Sequence, residues 1–341
     1  MSSTNNPLLS IIIPVYNLES EILRCLESIY LQHDHEFEVI IVNDGSTDKS
    51  EKNIIDFIKD HKLSDIYTLI TTANFGVGNA RNKGLEKSKG EFVFFLDGDD
   101  YVSPDFSSVV FRHLNDNDNF EALSFGYDQI DEFGNITKFE TKYTPLTCLM
   151  TGQEILKLIA KGEYWVWTGS VIYKKDFLND NNRRYTHFKS AEDIHFNYLN
   201  LIQISKVKII DSSLTYYVYR SKSATNYLSF NAFQSFYARK SLYNEISKLD
   251  IRVDKIILEF LLISIIEAFR QNYNKFYDTG VKNSLFKSQI RKEYPSLFID
   301  SVEILKKISI KRALIQNMFI YTYKFRLLFL YNFLRKISKL A

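Results

Sequence analysis

The sequence has little of what marks several classes of protein. Its only two cysteines in 341 residues, Cys25 and Cys148, lie far apart without a metal-ligand spacing, so it lacks the pattern of a disulfide framework or a zinc site. No apolar run reaches the roughly 18 to 20 residues that cross a bilayer, and the first ten residues have no secretory-signal pattern. A net charge of only +2 gives no general attraction to nucleic acid. These absences favour a globular protein of the reducing cytoplasm that does not bind nucleic acid.

What remains is the composition of an ordinary globular chain that is rich in aromatic residues. Hydrophobic residues make up 45% and charged residues 25%, so a sizeable core can form. The length allows one large domain or two moderate ones. The 27 Phe and 22 Tyr, against five Pro, indicate binding surfaces as well as core.

Strand and helix patterns alternate along the first hundred residues. Short apolar runs predict four buried strands, and apolar residues at helical spacing predict a helix after each of the first three. The predicted strands are Leu9–Val15, Phe37–Val42, Tyr67–Thr71 and Phe92–Leu96. This series predicts an α/β fold with a mostly parallel central sheet, whose ligands bind at the carboxyl ends of the strands.

Further elements follow from local signals. Two capping boxes are predicted at helix starts, Asp48 with Glu51 and Thr151 with Glu154. Helices are predicted over 79–89 and 190–202, and strands over 122–130, 166–173, 207–210 and 214–219. From about residue 229 onward the chain reads as helical.

The strongest chemical signal is the segment Asp97-Gly98-Asp99-Asp100, which follows the fourth predicted strand. Three carboxylates in four residues repel one another unless a positive group lies among them. A divalent cation with a phosphate-bearing ligand supplies that charge, and Mg²⁺ and Mn²⁺ prefer oxygen ligands. A solvated acidic turn is the alternative, but the position at the end of an apolar strand favours a site.

Two other polar segments lie at predicted strand ends. In Asn43–Asp48, Asp44 has the chemistry to accept hydrogen bonds from a base or a ribose, and a simple capped turn is an equal alternative. In Asn74–Arg81 the glycines do not complete a dinucleotide-binding fingerprint, because Arg81 stands at the last glycine position. Arg81 is a candidate for a phosphate, with an ordinary surface arginine as the alternative.

Four segments together resemble, in order and spacing, the successive motifs of family-2 glycosyltransferases with the GT-A fold: Pro14-Val15-Tyr16-Asn17, Asn43–Asp48, Asn74–Gly84 and Leu96–Asp100. The resemblance implies an inverting transfer from a nucleotide-diphosphate sugar, with UDP as the favoured nucleotide and Mn²⁺ or Mg²⁺ as cofactor. By position, Asp99 matches the metal ligand. The nucleotide-binding residues that it implies are Pro14, Tyr16, Asn17, Asp44, Arg81, Asp97 and Gly98.

The resemblance continues more weakly to about residue 225. Ala191-Glu192-Asp193 resembles the pair of carboxylates that opens a helix below the acceptor site, and one of them is the usual base. We favour Asp193 over Glu192, and a plain helix start stabilised by acidic residues is the alternative. Trp165 and Trp167 are candidates to stack on an acceptor sugar, although core packing explains at least one of them. Arg220 is a candidate for the diphosphate.

The resemblance predicts a catalytic domain over 1–225, with a nucleotide-binding half (1–105) and an acceptor half (106–225), and a helical C-terminal region over 226–341. Between Lys306 and Leu340 there are nine Lys or Arg and no acidic residue. This basic, aromatic tail predicts an amphipathic helix that docks on the inner face of an anionic membrane or packs on the protein.

The function predicted from these features is the transfer of a single sugar to a glycan or lipid-linked acceptor of the cell surface. The Gln-x-x-Arg-Trp string of processive members is absent, which argues against a polymer-extruding synthase. A nucleotidyltransferase would carry a Gly-rich loop after the first strand, where this chain has Val15-Tyr16-Asn17-Leu18. A non-catalytic glycan- or nucleotide-binding assembly protein on the same fold is the remaining alternative.

Overall fold

The computed structural model describes residues 6–116, 118–131, 135–137, 147–219, 230–278, 292–294, 296–297, 300–301 and 303–304. Backbone proximity divides the chain into two compact units, Met1–Asn226 and Tyr227–Ala341. The further division of the first unit into a nucleotide half and an acceptor half stays a prediction.

The first half of the N-terminal unit is a parallel α/β layer. Its elements are β1 (Leu9–Val15), α1 (Ile22–Tyr30), β2 (Phe37–Asn43), α2 (Ser50–Asp60), β3 (Tyr67–Thr71), α3 (Val77–Lys87) and β4 (Phe92–Phe95). The strands lie in the order β3-β2-β1-β4, and every pairing among them is parallel. The α/β fold predicted from the alternating pattern is thereby confirmed.

The second half extends the same sheet with mixed pairings. Its elements are β5 (Tyr101–Val102), α4 (Phe106–Leu114), β6 (Ala122–Ile130), β7 (Ile136–Thr137), β8 (Cys148–Met150), α5 (Gly152–Lys161), β9 (Val171–Lys174), α6 (Lys175–Asp180), α7 (Glu192–Leu201) and β10 (Val207–Val218). The order continues β4-β9-β6-β10-β5, with β7 beside β6 and β8 beside β10. β9 is antiparallel to both of its neighbours, whereas β6 and β10 are parallel to each other.

The core forms where the strands are covered by amphipathic helices. All seven residues of β1 are buried, as expected for a strand with helices on both faces of its sheet. On α1 the buried residues recur at helical spacing, at Ile22, Cys25, Leu26 and Ile29. Each such aliphatic side chain contributes about 1.5 to 3 kcal/mol when it leaves water, so this helix is fixed against the sheet.

Several predicted boundaries are confirmed and others are wrong. The capping box of Thr151 and Glu154 is present at the start of α5. The one predicted at Asp48 and Glu51 is absent, because Asp48 accepts instead from the amide and hydroxyl of Ser50, at 2.9 and 2.6 Å. Helix α3 begins at Val77, two residues earlier than predicted.

Two strand predictions also need correction. The first part of the predicted strand 166–173 contains a 3₁₀ turn, Thr168–Ser170, and only the rest joins β9. The two strands predicted over 207–219 are a single strand, β10, whose pairing with β6 shifts register between Ile209 and Thr215.

The C-terminal unit is helical where the structure describes it. A 3₁₀ turn at Phe230–Phe233 leads into α8 (Gln234–Ile246), followed by α9 (Lys255–Asp278). Phe236 of α8 and Phe269 of α9 are both buried, with ring centroids 6.5 Å apart. No helix in the described part of the chain is both long and apolar enough to cross a membrane. The predicted basic tail, 306–340, lies outside the described residues.

Candidate active site

Most of the predicted site residues lie at one edge of the sheet, where β1, β2 and β4 end. Val15 at the end of β1 is opposite Asn43 at the end of β2, and the acidic segment follows β4 directly. Because β9 runs antiparallel to β4, the turn that contains Trp167 and Thr168 enters the sheet at this same edge. The topology therefore gathers polar ends from both halves of the unit.

Arg81 joins two of the predicted carboxylates. Its side chain is only 3% exposed, and its two amino groups donate to Asp97 at 2.6 Å and to Glu192 at 3.0 Å. The guanidinium also lies over the ring of Tyr185, 4.9 Å from the centroid. A buried arginine needs such partners, because an unpaired buried charge is strongly destabilising. Arg81 thus bridges the acidic segment and α7, with one carboxylate on each of its two amino groups.

Glu192 and Asp193 open helix α7 as predicted, in different surroundings. Glu192 is buried, whereas Asp193 is half-buried. Burial raises the pKa of Glu192 above its ordinary value and the neighbouring Asp193 charge adds to the rise, while Arg81 opposes both. Ala191 just before them has a left-handed backbone (φ 60°), which is strained for a residue with a side chain. The strained residue therefore lies directly before the two carboxylates, at the start of α7.

One face of α3 fixes the segment that leads into these carboxylates. The side chain of Asn82 donates to the Tyr185 carbonyl at 2.9 Å and accepts from the Tyr185 amide at 2.8 Å. Gly78, one turn earlier, is so close to this segment that a Cβ there would lie 2.6 Å from the Thr186 carbonyl oxygen. Gly78, Arg81 and Asn82 share a helix face because they are three and four residues apart.

Asp44 anchors the loop between β3 and α3. It is buried, and its two carboxylate oxygens accept from the amides of Phe75 at 2.9 Å and Gly76 at 2.8 Å. Gly45 has a left-handed backbone (φ 72°), and a Cβ on it would lie 2.8 Å from the Asn74 amide. The loop therefore lies directly on the turn after β2.

The other residues predicted for the nucleotide lie around the end of β1. Pro14 is a buried strand residue, while Tyr16 is 48% exposed. Asn17 has a left-handed backbone and accepts from the Thr47 amide at 2.8 Å, which ties the end of β1 to the turn after β2. Gly98 packs tightly, since a Cβ there would lie 3.1 Å from the Pro14 carbonyl oxygen.

The carboxylates of the acidic segment divide by exposure. Asp97 and Asp99 are partly exposed, whereas Asp100 is buried and accepts from the Val218 amide at 2.8 Å. Within the described residues, no set of three or more His, Cys, Asp or Glu side chains is placed to hold a metal ion. Mg²⁺ and Mn²⁺ are commonly held by one or two carboxylates, with substrate phosphates and water completing the shell. The donor set of Asp97 and Asp99 fits such an ion.

The two tryptophans differ in their surroundings. Trp165 is 47% exposed. Trp167 packs between Tyr127 and Tyr217, with ring centroids 5.2 and 5.3 Å away, and its indole N–H is buried without a hydrogen-bond partner. Of the two predicted acceptor residues, Trp165 is thus the open one. Arg220 lies outside the described residues.

Sequence reasoning missed three residues of this edge: Gly78, Asn82 and Tyr185. The first two belong to the segment 74–84 that carried the resemblance, so their position was signalled without their role. Tyr185, 103 residues beyond Asn82, has no signal in its own surroundings, and only the folded contact reveals it.

Solved structures share this architecture over most of the chain. The crystal structure of TarS residues 1 to 349 from S. aureus, in complex with UDP-GlcNAc, superposes with a TM-score of 0.67 at 20% identity, over 88% of this chain and 81% of that one. The mannosyltransferase PcManGT from Pyrobaculum calidifontis, in complex with GDP-Man and Mn²⁺, gives 0.53 at 16% identity, over 92% and 89%. The fold is GT-A.

Sequence comparison adds the family. Residues 10–164 match the model of glycosyl transferase family 2. Over 222 residues the chain is 29% identical to the uncharacterised glycosyltransferase EpsJ of Bacillus subtilis. The alignment covers 63% of this chain and 61% of EpsJ, so the chain spans less than two thirds of that relative. This matched segment contains Asp44, Arg81, Asp97 and Asp99, and over it the predicted resemblance to family-2 glycosyltransferases is confirmed.

Proposed function

We propose that this protein is an inverting glycosyltransferase that moves one sugar from a nucleotide-diphosphate donor, with UDP favoured, to an acceptor hydroxyl. The observation that carries the proposal is the Arg81 bridge. It joins Asp97, on the side predicted for the donor, to Glu192, on the side predicted for the acceptor base. Family membership and the UDP-GlcNAc complex of TarS support the class of donor.

Asp193 is the proposed general base. An acceptor hydroxyl is a poor nucleophile, and a positioned carboxylate takes its proton as the new bond to the anomeric carbon forms. Asp193 is half-buried and beside the buried Glu192, whose link to Arg81 holds the start of α7 in place. Attack from the face opposite the departing nucleotide inverts the anomeric centre. Glu192 is the next candidate for the base.

Asp99, with Asp97 beside it, is the proposed holder of Mn²⁺ or Mg²⁺, which offsets the negative charge that gathers on the departing nucleotide diphosphate. The Mn²⁺ in the PcManGT complex supports this choice of ion. Pro14, Tyr16, Asn17, Asp44, Arg81 and Gly98 are proposed to shape the nucleotide side of the site.

The proposed acceptor is a glycan or a lipid-linked sugar of the cell surface, and the proposed location is the cytoplasm, with docking on the inner membrane face. The basic, aromatic composition of 306–340 motivates the docking. Flotation with anionic liposomes, comparing the full chain with a chain cut near residue 300, tests it. The full chain is expected to float and the shortened chain to stay behind, and equal recovery of both would sink the idea.

A donor screen tests the function itself. The purified protein with Mn²⁺ is incubated with a panel of nucleotide sugars, and the released nucleotide is measured by mass spectrometry with and without EDTA. EDTA-sensitive release of UDP from one sugar nucleotide is the expected result. Silence across the panel, with UDP binding still detected by calorimetry, would favour the non-catalytic alternative.

A further inference from the structure

Phe75 is a large apolar side chain left 69% exposed at the edge of the sheet that carries the candidate site. It lies in the loop between β3 and α3, and neither the sequence signals nor the core gives it a role. Exposed single hydrophobic residues are ordinary on protein surfaces, so exposure alone decides nothing. The backbone of Phe75 is also fixed by hydrogen bonds, and this second observation points to a function for the exposed ring.

The backbone of Phe75 is fixed by the turn after β2. Its amide donates to Asp44 at 2.9 Å, and the next amide, of Gly76, donates to the other oxygen of the same carboxylate at 2.8 Å. On the other side, the close approach of Gly45 to the Asn74 amide leaves no room for a side chain between them. A buried carboxylate that receives two amides holds a loop firmly, because each such bond is charge-assisted.

A second exposed aromatic residue lies on the far side of Asp44. Tyr16 is 48% exposed at the end of β1, and the strand order places β2, with Asp44 after it, between β1 and β3. Val15 and Thr71 are both opposite Asn43, so the two outer strands end level with each other. Neighbouring strands are about 4.8 Å apart, which separates β1 from β3 by roughly 9 to 10 Å.

This separation suits an inserted planar ring. A base between two aromatic side chains needs about 7 to 8 Å, twice the usual contact distance between carbon atoms. Asp44 supplies the polar complement at this point, because each carboxylate oxygen has more than one lone pair. The Phe75 amide and, at 3.5 Å, the Thr72 hydroxyl donate to one oxygen, while the other accepts from the Gly76 amide and keeps a lone pair for the base.

We propose that Phe75 stacks on the base of the donor nucleotide, on the face opposite Tyr16. The ligand class is a pyrimidine nucleoside diphosphate, and the proposal rests on the proposed donor of this protein. Stacking of a base on an aromatic ring tolerates changes of ring type, so the contact supplies affinity for a planar base. The choice among bases is left to polar groups such as Asp44.

Calorimetric titration with UDP in the presence of Mn²⁺ tests the proposal on the full chain. Phe75→Ala is expected to weaken UDP binding by about tenfold, within the range for loss of one stacked base, and Phe75→Trp to retain it. Leu31→Ala is the matched control. Leu31 is 70% exposed just after α1, at the opposite edge of the sheet, and its loss is expected to leave UDP binding unchanged.

A second ligand separates stacking from other effects of the loop. Dihydro-UDP has the same ribose and phosphates, but its saturated base is not planar. It is expected to bind the wild-type protein less tightly than UDP, and this difference in affinity is expected to become smaller in Phe75→Ala, where Tyr16 alone stacks on the base. If Phe75→Ala binds UDP as the wild type does, or loses equal affinity for both ligands, the stacking role is wrong. A wild-type protein that binds no nucleotide overturns the proposed function instead.

Discussion

Asn82 holds the backbone of Tyr185 by two reciprocal hydrogen bonds, one donated and one accepted by the same side-chain amide. The pairing resembles that of neighbouring strands, but it is made by a helix residue on a chain segment 103 residues away. Together with Gly78 and Arg81 it fixes the approach to Glu192 and Asp193. The helix that follows the predicted nucleotide loop therefore also positions the predicted acceptor base.

Loss of Asn82 is expected to slow transfer without weakening donor binding. Asn82→Ala removes both bonds to Tyr185, and a shift of the base by a fraction of an ångström to 1 Å lowers kcat by roughly 10- to 100-fold. The affinity for UDP, measured by calorimetry, is expected to stay within twofold, because the two side-chain hydrogen bonds of Asn82 are made to Tyr185 and not to a predicted nucleotide residue. Steady-state transfer kinetics with the donor named by the screen give kcat.

The matched control is Glu121→Ala. Glu121 accepts from the amides of Ser205 and Lys206, each at 2.8 Å, at the opposite edge of the sheet. Both variants lose two hydrogen bonds to backbone, and Glu121→Ala also loses the one from the Ser205 hydroxyl, so each is expected to lose about 2 to 3 kcal/mol of unfolding free energy. Only Asn82→Ala is expected to lose kcat. An equal loss of kcat in both variants would mean that Asn82 only stabilises the fold.

The two acidic positions are expected to separate binding from chemistry. Asp99→Ala is expected to abolish metal-dependent UDP binding, because it removes a proposed ligand of the cation. Asp193→Asn is expected to keep UDP binding and to lose transfer by about 10²- to 10⁴-fold, because an amide cannot take the proton of the acceptor. Calorimetry with and without EDTA, followed by transfer assays, measures both effects.

Each of these variants controls for the other, since both lose one carboxylate at the same edge of the sheet. Full transfer by Asp193→Asn would exclude Asp193 as the base and leave Glu192 as the next candidate. If Asp99→Ala keeps EDTA-sensitive UDP binding, Asp99 is not a required ligand of the cation.

The parallel half of the fold could be predicted because its signals are local. The bounds predicted for β1 and β3 coincide with the structure, since each is a short run of mostly apolar and β-branched residues that ends at polar or turn residues. The same local signal placed Asp97 and Asp44 at strand ends. The family resemblance then assigned functions to positions in this half, such as Asp44 and Asp97, that the hydrophobic pattern alone leaves without one.

The mixed half could not be predicted in the same way. Strand β9 enters the sheet between β4 and β6, and nothing in its four residues specifies antiparallel neighbours that are distant in sequence. The bridge from Arg81 to Glu192 spans 111 residues, and its geometry depends on that insertion. Sequence reasoning therefore found the carboxylates and Arg81, but not the bridge that joins them.

Glu192 is expected to make stability depend on pH. Its folded pKa is raised above the ordinary value of 4.5, chiefly by burial. Its contribution to the unfolding free energy is therefore complete below pH 4.5 and is lost as the pH rises through the raised pKa. Relative to the wild type, Glu192→Gln is expected to gain stability from pH 4.5 upward, by no more than about 1.4 kcal/mol per pH unit.

Urea unfolding between pH 4 and 7 measures this difference, and Glu154→Gln supplies a control of opposite sign. Hydrogen bonds from the amide and hydroxyl of Thr151 lower the pKa of Glu154. The contribution of Glu154 to the unfolding free energy is present above the unfolded pKa and is lost as the pH falls. Glu154→Gln is therefore expected to become less stable relative to the wild type as the pH rises. The same slope in both variants would contradict the assignment of Glu192.

The two tryptophans are expected to respond oppositely to truncation. Trp167 packs between two tyrosine rings and over Gly169, where a Cβ would lie 2.6 Å from its indole, so Trp167→Ala is expected to cost about 3 kcal/mol of unfolding free energy. Trp165 is half exposed, and Trp165→Ala is expected to cost less than about 0.5 kcal/mol.

The effect on acceptor binding is expected to be the reverse, larger for Trp165→Ala than for Trp167→Ala. Trp165→Ala is expected to raise the KM for a glycan acceptor while kcat and UDP affinity stay unchanged, because an exposed ring stacks on the apolar face of a sugar. Urea unfolding and transfer kinetics on both variants measure the contrast. If Trp165→Ala leaves the acceptor KM unchanged and Trp167→Ala raises it at temperatures where both variants are folded, the stacking role moves to Trp167. Its unpaired indole N–H would then be the donor to a sugar hydroxyl.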